Sequence, residues 1–215
     1  MIRVPHSPRA NAKAVWSLTV SWDASTCSTA SLFESLSDED MQAVEGYISA
    51  TAHRKRKHHP LFLPVMLLNL LNTFYVEHRR TLEHWLYQEE SGVGITRGIA
   101  ENTDAWKWGY ERQRDATMRF HKLNTGLVYL ERRLDFASRL GGFILQCLTY
   151  CQEEDVFPTG QKAGLMKVSK ELRENVMNDA NFVACQLHQV SCLQKRAQAL
   201  VSVVRRDRSN RCKLC

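Results

Sequence analysis

Apolar residues at alternating steps of three and four run through most of this chain, and a two-residue alternation marks its beginning. Trp16, Leu18, Val20 and Trp22 alternate with Ser17, Thr19 and Ser21, the period of a strand with one face buried. A single strand leaves its backbone groups unpaired. It is therefore expected to lie on helices, to pair with another short segment, or to belong to a small α/β portion. Ser37-Asp38-Glu39-Asp40 then offers an N-cap followed by acids, which satisfies the free amides of a helix start and suits its dipole. Met41, Val44 and Ile48 give that helix an apolar side.

Pro60 and Pro64 mark the start of the next helix, because proline fits the first turn and disfavours helix in the residue before it. Leu67, Leu71, Phe74, His78, Leu82 and Trp85 form its stripe, and Ser91-Gly92-Val93-Gly94 supplies a permissive stop. The third helix carries the clearest pattern. Leu123, Leu127, Leu130, Leu134, Ala137, Gly141, Ile144, Leu148 and Cys151 follow steps of four and three, the spacing of a coiled-coil seam or a long antiparallel pair. Ala137, Gly141 and Gly142 are small enough to let a neighbour approach at mid-length. After Gln152-Glu153-Glu154-Asp155, Pro158 and Gly160, a last helix runs through Leu165, Val168, Leu172, Val176, Val183, Leu187, Val190, Leu193, Ala197, Val201 and Val204.

These periods predict a mainly α fold: long antiparallel helices in a bundle or coiled-coil-like hairpin, with a short N-terminal β segment. They divide the chain into an N-terminal segment with one strand (1–36), a helical domain (37–204) and a basic, unstructured tail (205–215). Composition agrees. With 44% hydrophobic residues among 215, and only 10 glycines and 5 prolines, the chain can bury a core and has few turn formers. A membrane helix needs about 20 apolar residues. Leu61 to Leu71 falls well short of that before Glu77-His78-Arg79-Arg80, so a buried amphipathic helix is expected there.

The formal charge of +6 is concentrated in two places. Arg54, Lys55, Arg56 and Lys57 form one, and Arg205, Arg206, Arg208 and Arg211 the other. Such patches suit an acidic membrane surface or an acidic partner. No aromatic residue interleaves the first run, which disfavours nucleic acid. Seven cysteines and a start without an apolar core point to reduced thiols and a cytoplasmic setting, membrane-peripheral if the basic patches meet lipid. Cys147 and Cys151, and Cys185 and Cys192, are spaced to share the apolar faces. Cys212 and Cys215 sit in the basic tail.

Chemistry-bearing motifs are scarce. The chain has no Gly-rich phosphate loop, His-Glu-x-x-His, Gly-x-Ser-x-Gly or dinucleotide fingerprint. Glu77-His78 and Glu83-His84 lack a third ligand at helical spacing, and His58-His59 alone makes a poor metal site. The expectation is a non-enzymatic protein without catalytic residues, cofactor or small-molecule substrate.

His59-Pro60-Leu61-Phe62-Leu63-Pro64, Ser91-Gly92-Val93 through Gly98, and Leu193-Gln194-Lys195-Arg196-Ala197-Gln198-Ala199-Leu200 through Val204 resemble segments of fungal CorA-like magnesium-transporter proteins. The similarity covers roughly residues 14 to 204, the cytoplasmic helical part of that family. The family's membrane helices and Gly-Met-Asn pore signature have no counterpart here, so a magnesium pore is not expected from this chain alone. The resemblance implies an oligomeric helical module that associates with itself or related helical chains through the seam from Leu123 to Leu148. It also leaves room for weak Mg2+ binding by a regulatory relative sensing divalent cations through Glu153, Glu154 and Asp155. The third alternative is a peripheral binder of acidic membranes using the two basic patches.

Overall fold

The computed structural model describes residues 1–4, 16–34, 38–51, 58–93, 109–154 and 156–211; of Thr51, Val93 and 203–211 it describes the backbone only. The fold is mainly helical, with a three-stranded antiparallel sheet at its N-terminal end. The strands are β1 (Ile2–Arg3), β2 (Ser17–Asp23) and β3 (Ser28–Glu34), and the helices are α1 (Asp38–Thr51), α2 (Phe62–Val93), α3 (Tyr110–Glu153) and α4 (Lys162–Arg211).

The expected strand is β2, and its partners lie on both sides. It pairs with β1 through Ile2 and Leu18, and with β3 from Ser17 opposite Glu34 to Asp23 opposite Ser28. The β2–β3 turn is built by Asp23, whose carboxylate accepts from the Ser25 amide (2.9 Å), the Ser25 hydroxyl (2.7 Å) and the Thr26 hydroxyl (2.8 Å). Those bonds hold the Asp23 carboxyl below its usual range. Cys27 closes the turn at φ 51°, in the left-handed region that costs a side-chain-bearing residue some strain.

The chain divides into two compact units. One comprises Met1–Tyr75 with Arg133–Cys185, the other Val76–Arg132 with Gln186–Cys215. In the first unit, the position of Gly141 lies against Leu68 of α2 and Val176 of α4, and Arg173 of α4 donates to Thr149 Oγ of α3 (2.9 Å). His59 meets Ser169. Within this unit α3 therefore runs antiparallel to its neighbours, and α2 runs parallel to α4. The second unit has the same directions: Arg79 pairs with Gln186 and Glu90 with Arg196, while Arg119 of α3 reaches back to Glu89.

The third-helix seam is occupied within the chain. Leu123, Leu127, Leu130, Leu134, Ala137, Gly141, Ile144 and Leu148 are all buried, and α4 buries Leu165, Val168, Leu172, Val176, Val183, Val190, Leu193, Ala197 and Leu200. Some expectations need correction. Trp85 is 46% exposed, and the α2 stripe passes through Leu86 instead, since a straight helix of 3.6 residues per turn drifts from a strict seven-residue repeat. α3 begins at Tyr110, a full stretch before Leu123, and buries Ala116 and Phe120 there. The helical backbone of α4 does not stop at Val204 but continues to Arg211.

Gly142 is exposed with open space around it, so only Gly141 of the pair sits at an approach of helices. A mid-helix glycine in open space costs roughly 1 kcal/mol relative to alanine. Gly142→Ala is accordingly expected to raise stability by about that amount in a thermal melt. At Gly126 an added Cβ would lie 3.0 Å from Leu82 Cδ2, so Gly126→Ala should show little or none of this gain. Equal gains at both positions would contradict the close approach of α3 to α2 at Leu82.

Candidate functional site

Two features of the first unit carry chemistry beyond packing. The first is the outer face of α3. Phe136, Leu140, Phe143, Cys147 and Tyr150 step by four and three, a second apolar seam beside the first. Its inner member, Leu140, is buried, and Phe136 and Cys147 are half-buried. Phe143 is 53% and Tyr150 59% exposed. The helix thus carries apolar residues on two faces, one of them largely open to water.

The second feature is a set of polar groups inside the helical interface. On α4 the steps of three and four pass through Asp179, between Val176 and Val183. Burial raises the Asp179 carboxyl above the ordinary carboxylate range, and the nearby polar side chains of Asn72 and Asn69 on α2 offset this only in part. One helical turn beyond Asn72, the fully buried Tyr75 is pushed far above the usual phenol range by desolvation, partly offset by the nearby Arg133 guanidinium. Arg133 itself is held lower by its own burial. A slip of one heptad between α2 and α4 would set Asp179 against Val65, an apolar side chain, in place of Asn72.

His59 is fully buried at the start of α2. Its carbonyl accepts the Phe62 amide (3.0 Å), and its Nδ1 accepts the Leu61 amide (3.1 Å). The residue therefore caps the first turn of α2 much as Asn or Asp would. Because Nδ1 is an acceptor, the ring's proton sits on Nε2, which donates to Ser169 Oγ (2.8 Å). This orientation runs opposite to that of a general base activating a serine, whose hydroxyl must donate to the imidazole. Both ring nitrogens of His59 are thus engaged within the chain.

The remaining sequence candidates are dispersed. Arg54, Lys55, Arg56 and Lys57 lie outside the described residues, as does Asp155, and Arg205, Arg206, Arg208 and Arg211 are placed on α4 by backbone alone. Glu153 and Glu154 are exposed at the end of α3. His78 is half-buried, Glu83 pairs with Arg79, and His84 bonds Gln88 (2.9 Å). Among the described residues no three His, Cys, Asp or Glu side chains are grouped to hold a metal ion. Cys147 and Cys151 are half-buried and burial pushes both thiols up, so they carry little thiolate. Cys185 and Cys192 are exposed, contrary to the expected shared face: each lies about 100° around the helix from its nearest seam neighbour, Gln186 or Leu193.

Sequence reasoning passed over Phe136, Phe143, Tyr150, Asp179 and His59's capping role. The spacing of Asp179 signals its place in the seam, but polarity at an apolar position reads as a gap unless the partner is known. No helix of the described residues is long and apolar enough to cross a membrane. No family model, curated protein or solved structure matches the chain.

Proposed function

We propose that the chain is a non-enzymatic helical interaction module that associates with a second copy of itself along the outer face of α3. The observation supporting this is the second seam: Phe143 and Tyr150, one heptad apart on a continuous helix and preceded one heptad earlier by half-buried Phe136, present large apolar side chains to water. Scattered exposed apolar residues need no explanation, whereas aromatics repeated at heptad spacing match what a partner helix requires. The likeness of three segments to the cytoplasmic part of CorA-like proteins is a proposal of the same kind and favours assembly over catalysis. The seam from Leu123 to Leu148 serves folding of the chain itself and leaves the outer face for association.

Sedimentation of the full chain over a wide concentration range tests this. Wild type is expected to show concentration-dependent oligomers, and the double variant Phe143→Ser, Tyr150→Ser to remain monomeric with its melting temperature little changed, because solvent-facing substitutions usually shift stability by no more than about 0.5 kcal/mol. A wild-type monomer at high concentration, or an unchanged mass distribution in the variant, would defeat the proposal. A mass that depends on added Mg2+ would favour divalent-cation sensing instead.

A further inference from the structure

At one end of the first unit, His59 joins pieces of chain that are distant in sequence. Its own carbonyl and Nδ1 hold the start of α2, and its Nε2 holds Ser169 of α4. The ring also lies against Phe157 in the α3–α4 connection, centroids 5.3 Å apart. Phe157 in turn receives Trp22 of β2 edge-on at 6.0 Å and clusters with Cys27 and Leu165, flanked by Cys151 and Met166. The connection and the two helix starts thus meet at one imidazole, and the hairpin joins them through Phe157.

That imidazole fits its site in one protonation state only. A second ring proton would sit on Nδ1 and point at the Leu61 N–H, replacing a hydrogen bond with two opposed donors in a place water does not reach. We propose that His59 is an acid-released latch, whose protonation frees the α3–α4 connection and the β2–β3 hairpin from the starts of α2 and α4.

Among the described residues no neighbouring charge relieves the conflict. Ser169, Phe157 and the Leu61 amide surround the ring, and Asp155 lies outside the described residues. Of the titratable groups on adjoining elements, Asp23, His58, Glu153, Glu154, Lys162, Lys167 and Lys170 are exposed, Glu171 and Arg173 are half-buried with Arg173 bonded to Thr149 and Gln152, and Cys27 and Cys151 belong to the apolar cluster. Burial alone lowers the His59 pKa from 6.5 to about 4. An open cavity of about 400 Å³ borders this junction, lined by His58, Gly160, Gln161, Gly164, Leu165 and Val168.

The folded form binds fewer protons than the open form between those two values, so stability falls as pH drops below 6.5 and the loss is complete below about 4. Between pH 7 and pH 5 the opening constant should rise roughly 20-fold. Hydrogen exchange of the full chain, corrected for intrinsic rates, should show residues 17–34 and 156–172 losing protection over this range while α4 beyond Gln186 holds. His59→Asn, whose Oδ1 can still accept the Leu61 amide but cannot titrate, should flatten that pH dependence. An undiminished dependence in this variant would overturn the latch. Should His59→Asn not fold, nitrogen chemical shifts of wild-type His59 decide: the proposal requires the Nε2–H tautomer at neutral pH and no titration ahead of opening. The opposite tautomer, or titration near 6.5 with exchange unchanged, would end it.

Discussion

Leu130→Asp combined with Leu134→Asp is expected to abolish cooperative folding. Both leucines are almost fully buried, one in each unit of the chain. An ionised carboxylate placed in this apolar seam loses its hydration, and burying an unpaired charge costs several kcal/mol. Two such costs approach the whole stability of a typical domain, about 5–15 kcal/mol. The measurement is the thermal unfolding curve by circular dichroism, with Leu130→Met as a volume-conserving control that should cost less than about 1.5 kcal/mol. The aspartates should leave no cooperative transition. An unchanged melt would mean that this face of α3 is open to water and that the seam does not hold the chain together. Because the seam is filled by the chain's own helices, the expected failure is unfolding, whereas Phe143→Ser with Tyr150→Ser should alter only assembly. The two pairs of substitutions thereby separate the inner face of α3 from its outer one.

The helical half of this fold was legible because helices announce themselves locally. Acids after Ser37, prolines at 60 and 64, glycine at 92 and sustained steps of three and four carry the information for α1, α2 and the seams within a few turns of chain. β3 was not legible. Its sequence, Ser-Thr-Ala-Ser-Leu-Phe-Glu, lacks a buried alternation, and Leu32 is exposed, so what makes it a strand is pairing with β2 and not its own pattern. The opening turns of α3 were hidden for a different reason. Tyr110 to Asp115 is almost wholly polar, and the buried residue that continues the seam there is Ala116, whose small side chain gives a faint periodic signal. The candidate sites were harder still. Asp179 and Arg133 read as ordinary polar residues along the chain and His59 as half of a poor metal pair, and only their neighbours Asn72, Tyr75 and Ser169, each far away in sequence, give them a role. Periodicity locates a face of a helix. It cannot say whether the chain itself or another molecule covers it, which is why the Leu123 to Leu148 seam read as an association surface.

Trp16→Ala should be the most damaging single truncation at the N-terminal sheet. The Trp16 side chain is nearly inaccessible, its ring meets Phe74 of α2 edge-on at 5.7 Å and 81°, and its carbonyl accepts the Val4 amide (2.8 Å). Removing a buried indole costs about 3–5 kcal/mol through lost transfer energy and the cavity left behind. The backbone bond to Val4 does not depend on the side chain, so the cost measures the indole contacts alone. Leu32→Ala is the matching control: Leu32 lies on β3, is 58% exposed, and should shift stability by no more than about 0.5 kcal/mol. Chemical denaturation gives the two free energies, and hydrogen exchange locates the loss. In Trp16→Ala the amides of β2 and β3 should lose protection first, because their sheet has only three strands and depends on α2 for burial of its inner face. If the two variants prove equally mild, Trp16 does not anchor the sheet to Phe74. If exchange in the sheet is unchanged while α2 loosens, the dependence runs the other way, and the strands support α2 around Phe74.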